Sequence, residues 1–345
     1  MDELTNKKAL LCTISYSEGI KFEYNEKAIL KEYQIREENK SSLAIKILSI
    51  FGGFLATLTF LGFLAIAGLY ESGLGLLIFG MGFIILAIWL NKEFDKLIID
   101  TFSISIYIIG FVLFASGLTQ LNVDEDIITI LVNVIAISSL FIIQNYILSF
   151  ISLLTISGSF LTLIIGNDLY YLMHLYIAVN TLTLAYVFLN EAKIISSNKK
   201  LSKLYNPVRI GLVFSLLFGL VTIGKRYLIP ISQNHIWLSS IVMIFVTTYL
   251  VYLSIKINEI ESIKSKILIY LLSCLILVST ILSPAISGAI IIILLSFLVN
   301  YKTGLVIGII SFIYFISQYY YDLSFTLLTK SIILFFSGIL FLLFY

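Results

Sequence analysis

The stretch Tyr319-Tyr-Tyr-Asp322-Leu-Ser-Phe-Thr326-Leu-Leu-Thr-Lys330-Ser-Ile-Ile-Leu-Phe-Phe-Ser337-Gly-Ile-Leu-Phe-Leu-Leu-Phe-Tyr345 closes the chain and decides its solvent. From Leu323 onward it holds one charge, and about 20 apolar residues at 1.5 Å each match a hydrocarbon layer of about 30 Å. The same texture recurs almost end to end. Of 345 residues 59% are hydrophobic and 12% charged, against roughly 25% charged in an ordinary soluble domain. Mean hydropathy is +1.04. One aqueous core does not hide that much apolar surface, so the expected fold is all-α, a polytopic transmembrane helical bundle.

Apolar spans are read near 43–69, 72–90, 98–119, 127–144, 146–166, 169–189, 208–224, 236–255, 266–282, 284–300, 303–319 and 323–344, about twelve in all. Pro207 and Pro284 sit at expected helix starts, where a missing N–H costs little, and Pro230 sits in a connection. The weakest cuts are Gln144-Asn145, where the two spans could be one bent helix, and Tyr70-Glu71, which leaves a very tight turn. Basic residues then orient the bundle, because short cytoplasmic loops retain Lys and Arg. With the N-terminus inside, 19 of 22 fall on the cytoplasmic side, leaving Lys225, Arg226 and Lys330 outside. The outer connections carry Glu71, Asp124, Glu125, Asp126, Asp168 and Asp322 instead. An even number of spans with both termini cytoplasmic follows as the expectation.

Residues 1–42 are polar and too few for an independent domain. They read as a cytoplasmic N-terminal arm, a short hairpin about Ser17-Glu-Gly19 followed by a helix, ahead of a transmembrane domain over 43–345. The acidic start and the late first apolar run argue against a cleaved secretory signal. Cys12 lies in that arm and Cys274 in an apolar run, so no disulfide is expected.

The polar residues of the closing stretch are ordered. At 100° per residue, Asp322, Thr326, Lys330 and Ser337 fall within an arc of about 80°, and the arc turns apolar at Leu340 and Phe344. Lys330 lies roughly 10 Å into the span. A lysine facing lipid there costs up to about 2.5–3.5 kcal/mol, less if it snorkels outward. Two readings stand side by side. In one, Lys330 reaches the outer headgroups and Tyr319 to Tyr321 join an interfacial aromatic belt. In the other, the stripe faces the bundle and Lys330, Asp322, Thr326, Ser337 and Tyr321 form an outward-facing polar site, with His174 of the sixth span at similar depth. Asn133 and Asn180, both mid-span, have packing as their default role with a bond across helices open to each, and Gly304-x-x-x-Gly308 lets two helices approach closely.

No GxxxxGK[ST] loop, HExxH helix, Cys/His cluster or GxSxG elbow is present, so no cofactor, metal or catalytic residue is assigned. The scattered basic residues orient the protein and offer nucleic acid no footprint.

The block Tyr319-Tyr-Tyr-Asp322-Leu-x-x-Thr326-Leu-Leu-x-Lys330-Ser331, continuing to Ser337-Gly338, resembles the closing signature of a bacterial membrane family known as domain of unknown function 4401. Gly52-Gly53-Phe-Leu-Ala followed by Phe60-Leu-Gly-Phe-Leu is similar to that family's opening, and the resemblance runs from about residue 42 to the end. It implies a multi-pass protein of the bacterial inner membrane, in a family often accompanied by a membrane-anchored GDYXXLXY-type partner, and it brings no catalytic residues. Three functions remain open: a non-catalytic envelope scaffold that binds a partner in the bilayer, a permease-like transporter with its polar site around Lys330, or an intramembrane enzyme acting on a lipid-linked substrate.

Overall fold

The computed structural model describes residues 43–93, 97–143, 145–224, 236–281 and 283–322, together with Leu328, Ser331, Ile332, Phe335 and Ile339. All regular structure among them is helical. The elements are α1 (Leu43–Ile66), a 3₁₀ turn (Leu69–Glu71), α2 (Gly73–Glu93), α3 (Leu97–Gln120), α4 (Glu125–Ile142), α5 (Tyr146–Gly166) and α6 (Leu172–Leu189). There follow a short α7 (Glu191–Ser197), then α8 (Lys199–Gly224), α9 (Ile236–Ile257), α10 (Ile263–Ser279), α11 (Pro284–Leu298) and α12 (Lys302–Asp322). Eight helices among the described residues are long and apolar enough to cross a membrane. The expected arm, residues 1–42, lies outside the described residues, as do Pro230 and most of the span expected at 323–344.

The helices begin and end for local reasons. Asp124 caps α4 by accepting the Asp126 N–H at 2.9 Å. Asn145 caps α5 by accepting the Ile147 N–H at 2.9 Å, and Ile143 before it is extended, so the chain breaks at this point and does not bend through it. Four helices close on a residue in the left-handed region: Asn122, Asp168, Glu259 and Asn300. Each is followed by a backbone bond reaching five residues back: Val123 to Leu118, Leu169 to Ile164, Ile260 to Ile255 and Tyr301 to Ser296. This recurring Schellman closure satisfies the last carbonyls and reverses the chain within a few residues. Pro207 departs from expectation: α8 begins eight residues earlier, at Lys199, and runs through the proline. The segment Lys199 to Asn206 is too polar to read as a span, yet it is rich in helix formers and simply extends the membrane helix.

Packing follows the small residues. On α2 and α3, Gly80 meets Gly110 and Gly73 meets Gly117; a Cβ added to Gly80 would lie 2.4 Å from the Phe114 backbone N. The two backbones therefore touch, as small-residue seams allow in lipid. Gly308 lies against the Ile293 backbone N of α11, the close approach expected of the 304–308 pair. The largest core cluster joins α5, α6, α8, α9, α11 and α12 around Leu216, Leu220, Ile292 and Leu295. Buried hydroxyls reside in this apolar interior by bonding the carbonyl four residues back, as Ser152, Ser215, Thr247 and Ser311 do. Asn133 crosses to the Ile156 carbonyl of α5 at 3.3 Å. Asn180 instead bonds the Tyr176 carbonyl of its own helix at 2.8 Å.

Candidate functional site

Two polar assemblies stand at opposite ends of α8. The first lies where the start of α6 meets the ends of α8 and α12. Met173 is reached by the Thr222 hydroxyl at 3.5 Å, and Gly224 lies against the Gln318 amide, where an added Cβ would come within 3.4 Å of Nε2. His174 is buried, and its Nδ1 shares a hydrogen bond of 2.7 Å with the Ser239 hydroxyl of α9. Both amide atoms of Gln318 are buried and have no hydrogen-bond partner among the described residues. An unmade bond at a buried amide costs about 1–3 kcal/mol, so this group marks a place where the packing leaves polarity unanswered.

α12 ends here in Gln318-Tyr-Tyr-Tyr-Asp322. Tyr319 packs on the core, whereas Tyr320 and Tyr321 stand edge to face with ring centroids 5.9 Å apart. Tyr321 is 78% exposed. Asp322 is the last residue of α12 and half-buried. The sequence candidates His174, Tyr321 and Asp322 thus lie at one end of the bundle. Thr326, Lys330 and Ser337 lie outside the described residues. The neighbouring α5–α6 turn is tied down by its own polar groups: Tyr170 donates to Asp168 at 2.5 Å, and Asn167 donates to Asp126 of α4 at 2.7 Å. The bond to Asp168 raises the Tyr170 phenol above its usual range, because a donated proton is harder to lose.

The second assembly was hidden in the charge count. Arg209, tallied only as a topogenic base, is 7% exposed. Its guanidinium pairs with Glu191 of α7 at 3.3 Å and donates to Asn206 at 2.7 Å. The plane is enclosed by rings: Tyr301 with its centroid at 3.7 Å, Tyr205 at 4.9 Å and Phe188 at 5.7 Å. The desolvated cation is held by one carboxylate and three π faces, each ring contributing about 0.5–2 kcal/mol. The arrangement clamps the end of α6, α7, the first half of α8 and the α11–α12 turn. Only the Tyr205/Arg209 spacing of four was visible in sequence. Tyr301 stands nearly a hundred residues away and reaches the cage by the left-handed turn at Asn300.

Among the described residues no group of three or more His, Cys, Asp or Glu converges as metal ligands do. No curated protein and no solved structure matches the chain. A family described as a domain of unknown function, DUF4401, matches residues 42–345, which takes in all of the described helices and the closing tyrosine, acid and lysine signature. On that match this helical membrane chain belongs to the DUF4401 family.

Proposed function

We propose that the chain is a multi-pass, non-catalytic envelope scaffold of the bacterial cytoplasmic membrane. Residues 1–42 form a cytoplasmic arm, residues 43–345 the transmembrane domain, and both termini face the cytoplasm. Its outward rim holds a membrane-anchored partner of the GDYXXLXY type. The observation that carries this reading is the aromatic end of α12, where Tyr321 is 78% exposed beside Tyr320. Tyrosine offers a large rigid face and a hydroxyl at low entropic cost, and it is enriched at the centres of interfaces. The test is co-purification of the co-expressed partner on tagged full-length protein. Tyr321→Ala is expected to lower recovery about tenfold at unchanged abundance, the scale of a lost interface anchor. Undiminished recovery overturns the reading.

A permease-like function is the second reading, with Lys330, Asp322, Thr326, Ser337, His174 and Tyr321 around an outward-facing polar site for an anionic or zwitterionic solute. Two observations favour it. Leu328, Ile332, Phe335 and Ile339 are helical and exposed. On an unbroken helix at 100° per residue, their shared face would stand about 150° from the arc of Asp322, Thr326, Lys330 and Ser337. The unanswered amide of Gln318 lies at the same end of the bundle. Lys330→Met separates the two functions: intact abundance with retained partner capture belongs to the permease, and intact abundance with lost capture belongs to the scaffold.

A further inference from the structure

α5 and α6 are joined by a turn of only five residues, 167–171, yet they touch each other sparsely and both pack on α8. Two glycines of α8 let them do so. Gly211 lies under Leu153 of α5 and Gly219 under the ring of Tyr176 of α6, with no room for a Cβ at either position. The hairpin therefore straddles α8 and leaves a groove of about 500 Å³ between the three helices. Its walls are apolar, among them Leu153, Phe160, Leu175 and Val179. The polar atoms at its floor answer one another: Tyr176 bonds Ser157 and donates to the Ser215 carbonyl at 3.1 Å. Such a floor makes no demand for a polar ligand.

We infer that this groove holds one hydrocarbon chain of a membrane lipid. The groove opens on the outer flank of span-length helices, where Phe160, Leu175 and Val179 are exposed. Hydrocarbon is the medium available at that depth. From Leu153 to Ile164 the lining follows α5 for eleven residues, about 16 Å along the helix axis. With the volume, that length gives a cross-section of roughly 30 Å², whereas a helix 10–12 Å across needs roughly 80 Å² or more. A lipid chain fits inside the groove, whereas a partner helix is too wide to enter and could only lie across its mouth. The groove runs parallel to the helices, from the α5–α6 turn toward mid-span, as a chain hanging from a headgroup at the turn would.

The inference rests on the chain being membrane-embedded, and its test reads the two separately. Full-length protein is reconstituted in vesicles of phosphatidylethanolamine and phosphatidylglycerol containing a trace of lipid with a diazirine on one acyl chain. After irradiation, the modified residues are mapped by mass spectrometry. Phe245 on α9 and Leu271 on α10, both exposed and outside the groove, report immersion in lipid by themselves. Phe160, Leu175 and Val179 are expected to be labelled several-fold above them. Leu175→Trp and Val179→Trp fill the groove from exposed positions. Each is expected to lower adducts at Phe160 about tenfold, the effect of losing about two buried CH₂ groups, with Phe245 unchanged. Groove labelling no stronger than at Phe245 and Leu271 overturns the inference and leaves immersion standing. So does labelling at Phe160 that survives both substitutions. Should neither variant fold, the wild-type ratio alone decides. Performing the labelling separately with the two headgroups identifies which lipid supplies the chain.

Discussion

Replacing Arg209 by alanine would leave Glu191 without its counter-charge and three aromatic rings around a void. Removing one partner of a buried pair costs about 3–5 kcal/mol, and the lost stacking adds to it. Glu191 is the more forgiving member, because its side chain is 31% exposed and water screens it. Arg209→Ala is therefore expected to lower the unfolding midpoint in detergent far more than Glu191→Gln does. Arg209→Lys falls between them, since an ammonium keeps the charge but loses the planar fork and the face-on contact with Tyr301. Equal losses for Glu191→Gln and Arg209→Ala would show that the ion pair, and not the aromatic cage, holds the residue. Charge counting saw in Arg209 only an inside marker. Burial makes it a clamp as well, and its position at the lysine-rich end of α8 serves both roles.

Among the elements, the α2–α3 pair depends on four glycines spaced seven apart, Gly73 and Gly80 on one helix, Gly110 and Gly117 on the other. Gly80→Ala would drive a methyl to 2.4 Å from the Phe114 backbone N, and because the clash is with backbone the helices must separate. Gly82 has nothing within 4 Å, so Gly82→Ala removes only glycine's helix penalty of about 1 kcal/mol. Thermal unfolding in detergent should show Gly80→Ala destabilised by about 1–3 kcal/mol, the usual overpacking cost, and Gly82→Ala neutral or slightly stabilised. Two destabilised variants would refute the seam. Helix existence was legible because membrane length and apolarity are properties of a segment by itself; the break at Gln144-Asn145 was not, because only the structure shows Asn145 capping α5. Nor was what the segments touch. A heptad of glycines names no partner until two helices lie side by side, and the bond of Asn180 could go equally to its own helix or to the next. Lys199 to Asn206 failed for another reason: a polar run before a proline looks like a linker, and the buried ring of Tyr205 and the Arg209 cage that tie this stretch of α8 to the bundle are visible only in three dimensions. In the candidate site, His174 and Gln318 stand more than a hundred residues apart and reach the same end of the bundle through separate partners, Ser239 and Gly224, which no spacing rule anticipates.

For the molecule as a whole, the charge distribution makes a prediction that single residues do not. The described chain reverses at each tight turn, so Glu71, Asp124 to Asp126, Asp168 and the end of α12 gather at one end, while Lys193, Lys199, Lys200, Lys203 and the Arg209 cage gather at the other. Between Lys96 and Lys193 the sequence holds no lysine or arginine, although α3, α4, α5 and α6 lie there. Translocation tolerates acids and retains bases, so the acidic end should face outward and the lysine end the cytoplasm. Substituting both Cys12 and Cys274 by Ser and adding one cysteine at Asp124 should give a protein that a membrane-impermeant maleimide labels on intact spheroplasts. A cysteine at Lys200 should be labelled only after lysis. Adding three lysines to the 121–124 turn tests the cause as well as the result. If retained bases set the orientation, that turn is held inside and the Asp124 cysteine loses its labelling; if the orientation is fixed by the first helix alone, labelling persists. Reversed accessibility in the unmodified pair would invert the two ends. The aromatic rim of α12 and the Gln318 amide would then face the cytoplasm, and with them any partner or solute they serve.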